Sequence, residues 1–184
     1  ALNYRLVDAP IGIFDSGIGG LSVTLEIARH LPNERFVYYA DTANVPYGPR
    51  EDQDIRELTA QAIEWLYRKG CKAAVVACNT ASAFSLDYLR THYGERFPII
   101  GLVPALKPAV LATHSKTVAV LATPATFRGQ LIKEVMTRFA EPAGVNVIPV
   151  TCLDLVPFVE AGEQMSPACL ATLTKILQPV VDQG

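Results

Sequence analysis

Residues Ala73 to Ser82 read AAVVACNTAS, and this stretch decides the fold. Five small or β-branched apolar residues, Ala73, Ala74, Val75, Val76 and Ala77, run straight into Cys78, Asn79 and Thr80. A run this short, with no polar alternation, reads as a strand buried on both faces, which places it in a parallel α/β sheet. The helix-compatible segment Ala81 to Thr91 follows, with Asn79 or Thr80 as its candidate N-cap. Cys78 therefore stands at the carboxyl end of a parallel strand, where open α/β sheets place their ligands. A thiol there is expected to feel the helix N-terminus, which lowers its pKa from about 8.5. A cysteine is otherwise a small buried hydrophobe. The strand-end position and the polar pair behind it favour the functional reading.

Working outward, Ile11 to Phe14 is a first short strand. It ends at Asp15-Ser16-Gly17-Ile18-Gly19-Gly20, and a helix covers about Leu21 to Leu31, closed by Pro32-Asn33. The three glycines let backbone amides approach a carboxylate or phosphate at a helix start. The alternative is a tight strand-to-helix turn with no ligand. Asp15, an acid at the functional edge, is harder to explain as structure alone. Arg35 to Ala40 is the second strand. Asp41 follows, then a loop through Asn44, Pro46, Tyr47, Gly48 and Pro49. The Pro-Tyr-Gly step is a fixed turn that either presents an aromatic hydroxyl or lays Tyr47 as a lid over the core. Residues 51–69 form an amphipathic helix with Ile55, Leu58, Ala62, Ile63 and Leu66 on one face, ended by Gly70. Phe97 to Val103 is the fourth strand.

Pro104 and Pro108 bracket a linker-like piece, which sets a domain boundary between residues 1–103 and 104–184. Thr117 to Leu121 is the fifth strand, followed by Ala122-Thr123-Pro124-Ala125-Thr126 and a helix from about Phe127 to Phe139. The hydroxyls of Thr123 and Thr126 either bind a polar ligand or cap that helix. Val145 to Val150 is the sixth strand. Cys152 reads as core. Leu155, Val156, Phe158 and Val159 lead to Glu160, either a solvated helix-end charge or a buried acid. A last helix covers about Pro167 to Val181. The order is βαβαβαβ, then βαβα: two doubly wound α/β domains with parallel sheets, the second incomplete, and an active site expected in the cleft between them.

The chain has 184 residues, half of them hydrophobic, which is enough for a real core. Net charge is −2 and no basic block occurs, so nothing argues for nucleic-acid binding. The four cysteines lack a paired C-x-x-C pattern, and in a core-rich chain they point to a reducing cytoplasm, not a disulfide scaffold. Residues 1–10 have no apolar core of a signal peptide, and no apolar run reaches membrane-spanning length.

Several chemistries fit poorly. His30, His92 and His114 fall away from the strand-end motifs, so a Cys–His hydrolytic pair is weak. No metal-ligand cluster and no P-loop lysine occur, and no lysine lies at a strand end for a Schiff base. Asp41 alone fits a ribose, so a dinucleotide site stays a weak alternative. What remains is thiolate acid–base or nucleophilic chemistry on a small, polar, anionic substrate.

With those residues in view, the chain resembles glutamate racemases. The resemblance rests on Asp15-Ser16-Gly17-Ile18-Gly19-Gly20-Leu21-Ser22, on Asp41 through Pro46-Tyr47-Gly48, and on Val75-Val76-Ala77-Cys78-Asn79-Thr80-Ala81-Ser82. Val103 to Ala109, Leu121-Ala122-Thr123 with Thr126, and Val156-Pro157 to Glu160 also match. It runs from about residue 11 to the end.

The resemblance implies a cytoplasmic, cofactor-independent enzyme that interconverts L- and D-glutamate for peptidoglycan. Two thiols would work on opposite faces of the α-carbon. Cys78 matches the first of them. Asp15 and Ser16 match substrate-contacting positions, with Asp15 also assisting the thiol. Pro46, Tyr47, Gly48, Asn79 and Thr80 match substrate-binding positions, as do Thr123 and Thr126. Glu160 matches an acid supporting the second base. The family's second Cys-Thr-His motif does not occur here, so the expectation is a C-terminally truncated racemase with half of the two-base site, and a surface exposed or paired in a homodimer. The implied partner is the small molecule glutamate, with no nucleic acid and no membrane. Two alternatives stay open: an aspartate racemase-like enzyme, and a non-catalytic module binding a small anion or nucleotide at Asp15 to Gly20.

Overall fold

A computed structural model of the chain describes residues 8–183. The expectation about a signal peptide at residues 1–10 therefore falls largely outside the described residues. The chain divides into two compact units between Leu102 and Val103.

The first unit is a four-stranded parallel sheet in the order β2-β1-β3-β4. Its strands are β1 (Ile11–Asp15), β2 (Phe36–Ala40), β3 (Ala73–Val76) and β4 (Ile99–Gly101), joined by helices α1 (Leu21–His30), α2 (Asp52–Arg68) and α3 (Asn79–Tyr93). Successive strand residues point to opposite faces. Ile13 and Val75, in register, form a cluster with Val23 and Ile27 of α1. On the other face, a Cβ at Gly12 would fall 3.0 Å from a Leu66 methyl of α2. Helices thus cover both faces, as the unbroken apolar run of β3 requires.

The core of this unit holds Ile13, Phe14, Ile55, Ile63, Leu66 and Leu89, each fully buried. Burying a side chain of this size contributes roughly 1.5–3 kcal/mol before entropy is counted. The amphipathic reading of α2 holds with one exchange: Thr59 is buried, its hydroxyl satisfied by the Ile55 carbonyl at 2.6 Å, while Leu58 is only half-buried. Gly70 follows the helix at φ +79, a backbone state that suits glycine.

The second unit holds a two-stranded parallel sheet, β5 (Thr117–Ala122) beside β6 (Asn146–Thr151). The piece read as a linker after Pro104 is helical: α4 spans Leu106–Ala112, with Pro108 in its first turn, where a missing N–H costs nothing. Leu106 and Val110 of that helix join Val120 and Ile132 in the core of this unit. The single helix expected over 127–139 is instead α5 (Pro124–Arg128) and α6 (Gln130–Val135), continued by a wide turn over Met136–Ala140. Extended backbone at Gly129 separates the two. Helices α7 (Leu155–Glu160) and α8 (Pro167–Val181) complete the unit.

Candidate functional site

In the first unit the strand register places Asp15 beside Ala40, so β1 and β2 end together. Asp15 is buried, and its Oδ2 accepts the Gly20 amide at 2.8 Å. Gly20 precedes α1, and a Cβ there would fall 2.8 Å from both the Asp15 Cβ and the Tyr38 hydroxyl and 3.0 Å from the Ala77 Cβ. Close approach, and not a ligand, accounts for this glycine. Of the glycine amides expected to receive an anion, that of Gly20 is committed within the turn, as are the next two amides of the helix start. Gly20 donates to Asp15, Leu21 to the Ile18 carbonyl at 3.0 Å and Ser22 to the Gly19 carbonyl at 3.2 Å. The positive potential of the helix start is met by the chain's own carboxylate, which weakens the anion-module alternative.

The helix cap expected at Asn79 or Thr80 is Cys78 itself. β3 stops at Val76, Cys78 keeps extended backbone, and its Sγ accepts the Ala81 amide at 3.4 Å. Asn79 and Thr80 are the first helical residues, Asn79 exposed and Thr80 buried. On the other side of the sulfur lies the Ser16 hydroxyl, 3.4 Å away.

The expected lowering of the Cys78 pKa is also corrected. Burial pushes the thiol up, and the negative charge of Asp15 pushes it further. Hydrogen bonds from Ser16 and the Ala81 amide act the other way without prevailing. Desolvation of a buried sulfur outweighs the favourable helix end.

Tyr47 is buried, and its hydroxyl donates to Asp41 Oδ2 at 2.6 Å. Burial, then Asp41, raise the phenol well above its ordinary range, so it stays neutral. The hydroxyl is therefore committed inside the protein and is not presented outward. Gly48 beside it is buried, Pro46 is exposed, and the Val45–Pro46 peptide is cis. A negative charge at Cys78 adds to the raising of the Tyr47 phenol, so the loop lies within electrostatic reach of the thiol.

The first unit thus gathers Asp15, Ser16, Cys78 and Tyr47. Sequence reading gave Asn44 and Arg50 no role, and took Asp41 as a possible ribose ligand and as the start of the motif running to Gly48. Asn44 Nδ2 donates to both oxygens of Asp41, at 2.9 and 3.1 Å. Ser82 was also missed: its hydroxyl donates to the Val76 carbonyl and accepts the Leu102 amide, both at 3.1 Å. A signal existed for Asp41, an acid one residue past a strand end, as Asp15 is at its own.

In the second unit Thr123 caps α5, accepting the Thr126 amide at 3.3 Å. The two hydroxyls lie 3.1 Å apart, with Thr126 buried. Glu160 is the last residue of α7 and is half-buried. Cys152 is buried, its thiol pushed up by burial. Among the described residues no group of three or more His, Cys, Asp or Glu side chains is arranged to hold a metal ion. No helix among them is long and apolar enough to cross a membrane.

Parallel α/β architecture with a thiol and a buried acid at adjoining strand ends defines a protein equipped for chemistry at that edge. Residues 11–184 match the model of the Asp/Glu/Hydantoin racemase family, and the chain belongs to that family. It is 58% identical over 177 residues to a glutamate racemase of Deinococcus radiodurans, covering 95% of this chain and 60% of that protein. A glutamate racemase of Roseiflexus is 46% identical over 175 residues, with 95% and 63% covered. The chain thus spans about three-fifths of the length of these two curated relatives.

Among solved structures, Escherichia coli glutamate racemase, in complex with L-glutamate and the activator UDP-MurNAc-ala, aligns with TM-score 0.82 and 35% identity. That alignment covers 93% of this chain and 64% of that one. The Francisella tularensis glutamate racemase, in complex with D-glutamate, aligns at 0.77 and 31%, covering 93% and 63%.

Proposed function

We propose that this protein interconverts L- and D-glutamate without a cofactor, by proton transfer between thiol groups and the α-carbon, and so supplies D-glutamate for peptidoglycan. One observation carries the reading. The Cys78 sulfur, 3.4 Å from the Ser16 hydroxyl and under the charge of Asp15, stands just past the carboxyl end of a parallel strand in a chain 58% identical to a glutamate racemase.

Enclosure keeps the resting sulfur a thiol. A bound amino acid brings an ammonium group, and a positive charge beside the sulfur favours the thiolate. The thiolate then takes the α-proton: the C–H bond breaks, an S–H bond forms, and the electron pair passes to the carbanion. Fixed hydrogen-bond donors around the substrate carboxylate stabilise that charge. A second acid protonates the opposite face. In the family that acid is a thiol of a Cys-Thr-His motif, and none of Cys71, Cys152 and Cys169 is assigned the part here.

Asp15 and Ser16 serve the thiol and the substrate. Pro46, Gly48, Asn79 and Thr80 contact the substrate, with Tyr47 contributing through its backbone. In the second unit, Thr123 and Thr126 are assigned to the substrate, and Glu160 to support of the second base, on the family match alone. All four cysteines are free thiols, which supports a cytoplasmic setting. Pairing of two copies belongs to the same proposal. Light scattering tests it.

The test of substrate is protection. Glutamate of one or both hands, added before iodoacetamide, slows alkylation of Cys78 as read by peptide mass spectrometry, and aspartate protects less. Equal alkylation with and without glutamate would overturn the reading.

A further inference from the structure

Beyond the residues assigned above, the loop after β2 is closed on itself by a chain of hydrogen bonds. The Asp41 amide donates to the Asp15 carbonyl at 3.0 Å, tying the loop to the end of β1. The Asn44 amide donates to the Asp41 carbonyl at 3.0 Å, while its side chain holds both Asp41 carboxylate oxygens. Arg50 sends Nε and Nη2 to the single carbonyl of Asn44, at 2.9 and 2.7 Å. Its own amide donates to the Tyr47 carbonyl at 3.0 Å. Asn44 is the junction: its side chain serves Asp41, and its carbonyl serves Arg50.

We propose that Asn44 and Arg50 are positioning residues for the Cys78 site, linked to it in the order Arg50, Asn44, Asp41, Asp15, with Ser16 next in the chain placing its hydroxyl 3.4 Å from the Cys78 sulfur. The inference rests on the reading of Cys78 as the reacting group. The guanidinium fork fixes the Asn44 carbonyl with two bonds at once, which a lysine ammonium does not reproduce. With Asn44 fixed, the Asp41 carboxylate is aimed at the Tyr47 hydroxyl, and the Asp41 amide holds the loop to the end of β1 beside Ser16. A loop locked by its own bonds holds substrate-contacting backbone without an ordering cost at binding. Among the described residues, Asp15 at the end of β1 acts on the charge of Cys78, while Tyr47 on this loop feels Cys78 and Asp41 in one sense and Arg50 in the other.

The test compares the parent chain with Arg50→Lys, which keeps the charge and removes the fork. Alkylation of Cys78 by iodoacetamide is followed across pH, with Cys71 as internal control. Cys71 precedes β3 at its amino end and has no part in the loop. Loss of a charge-assisted brace raises the Cys78 rate about tenfold. The pH midpoint moves down, because a loosened loop relieves the burial that pushes the thiol up. Cys71 does not change. An unchanged Cys78 rate and midpoint would overturn the proposal, and so would equal acceleration of Cys71, which marks general loosening. If Arg50→Lys does not fold, Asn44→Ser gives the same two outcomes, since it removes only the side-chain amide. Glutamate protection of the parent is read separately, so the substrate assignment and the brace fail independently.

Discussion

The Gly20 amide donates to the Asp15 carboxylate at 2.8 Å, so the turn that opens α1 is closed by the acid at the end of β1. This bond holds Asp15 near Cys78 and occupies a donor that would otherwise attract an external anion. A Cβ at position 20 would fall 2.8 Å from the Asp15 Cβ. Gly20→Ala therefore forces the turn away from the strand. The expected loss is about 1–3 kcal/mol of stability, the range for overpacking, read as a lower urea midpoint. An unchanged midpoint would mean that the turn yields freely.

The environment of Cys78 makes a signed pH prediction. Burial and then Asp15 raise its pKa, so its alkylation rate rises with pH to a midpoint above that of an ordinary thiol, about 8.5. Asp15→Asn removes the charge while keeping a side chain of the same size, and the midpoint moves down. A midpoint that stays or rises in Asp15→Asn would show that Asp15 does not act on the sulfur electrostatically.

Alkaline stability follows from the same groups. Cys71, Cys78, Cys152 and Tyr47 all ionise later in the folded chain than in an unfolded one. Above about pH 8.5 the unfolded chain loses thiol protons that the folded chain retains, so the stability they contribute is full below that pH and lost above it. The urea midpoint is expected to be flat between about pH 7 and 8 and to fall beyond about 8.5. Cys78→Ala makes the fall shallower. A midpoint that holds to about pH 10 would contradict this.

Ser85 of α3 is fully buried, and its hydroxyl has no hydrogen-bond partner among the described residues. An unsatisfied buried hydroxyl costs about 1–3 kcal/mol, and alanine is the better helix former. Ser85→Ala is expected to stabilise the chain by about 1 kcal/mol, seen as a raised urea midpoint. A lowered midpoint would mean that the hydroxyl has a partner, such as a bound water.

Much of the fold was legible because parallel strands buried on both faces advertise themselves as unbroken apolar runs. β1 and β3 stand within a residue or so of where their apolar stretches end. α4 was hidden because Pro104 and Pro108 read as breakers, although a proline in a first turn is tolerated. The break at Gly129 was hidden because the apolar pattern continues across it.

At the site, Cys78 and Asp15 announced themselves by strand-end position, and Thr123 was read correctly as a possible cap. The direction of the Cys78 pKa was not legible, because it depends on how completely the fold encloses the sulfur. Nor were Asn44 and Arg50. Their part comes from a loop that folds back on its own carbonyls, and no periodicity encodes that.

The central claim is that Cys78 removes the α-proton of glutamate. The most direct measurement is exchange of that proton into D₂O, followed by NMR, with L- and D-glutamate supplied separately to the 184-residue chain and to its Cys78→Ala variant. The account predicts exchange of at least one enantiomer by the parent chain and none by the variant. Exchange that survives in Cys78→Ala, or a folded parent chain that exchanges neither enantiomer, would contradict it.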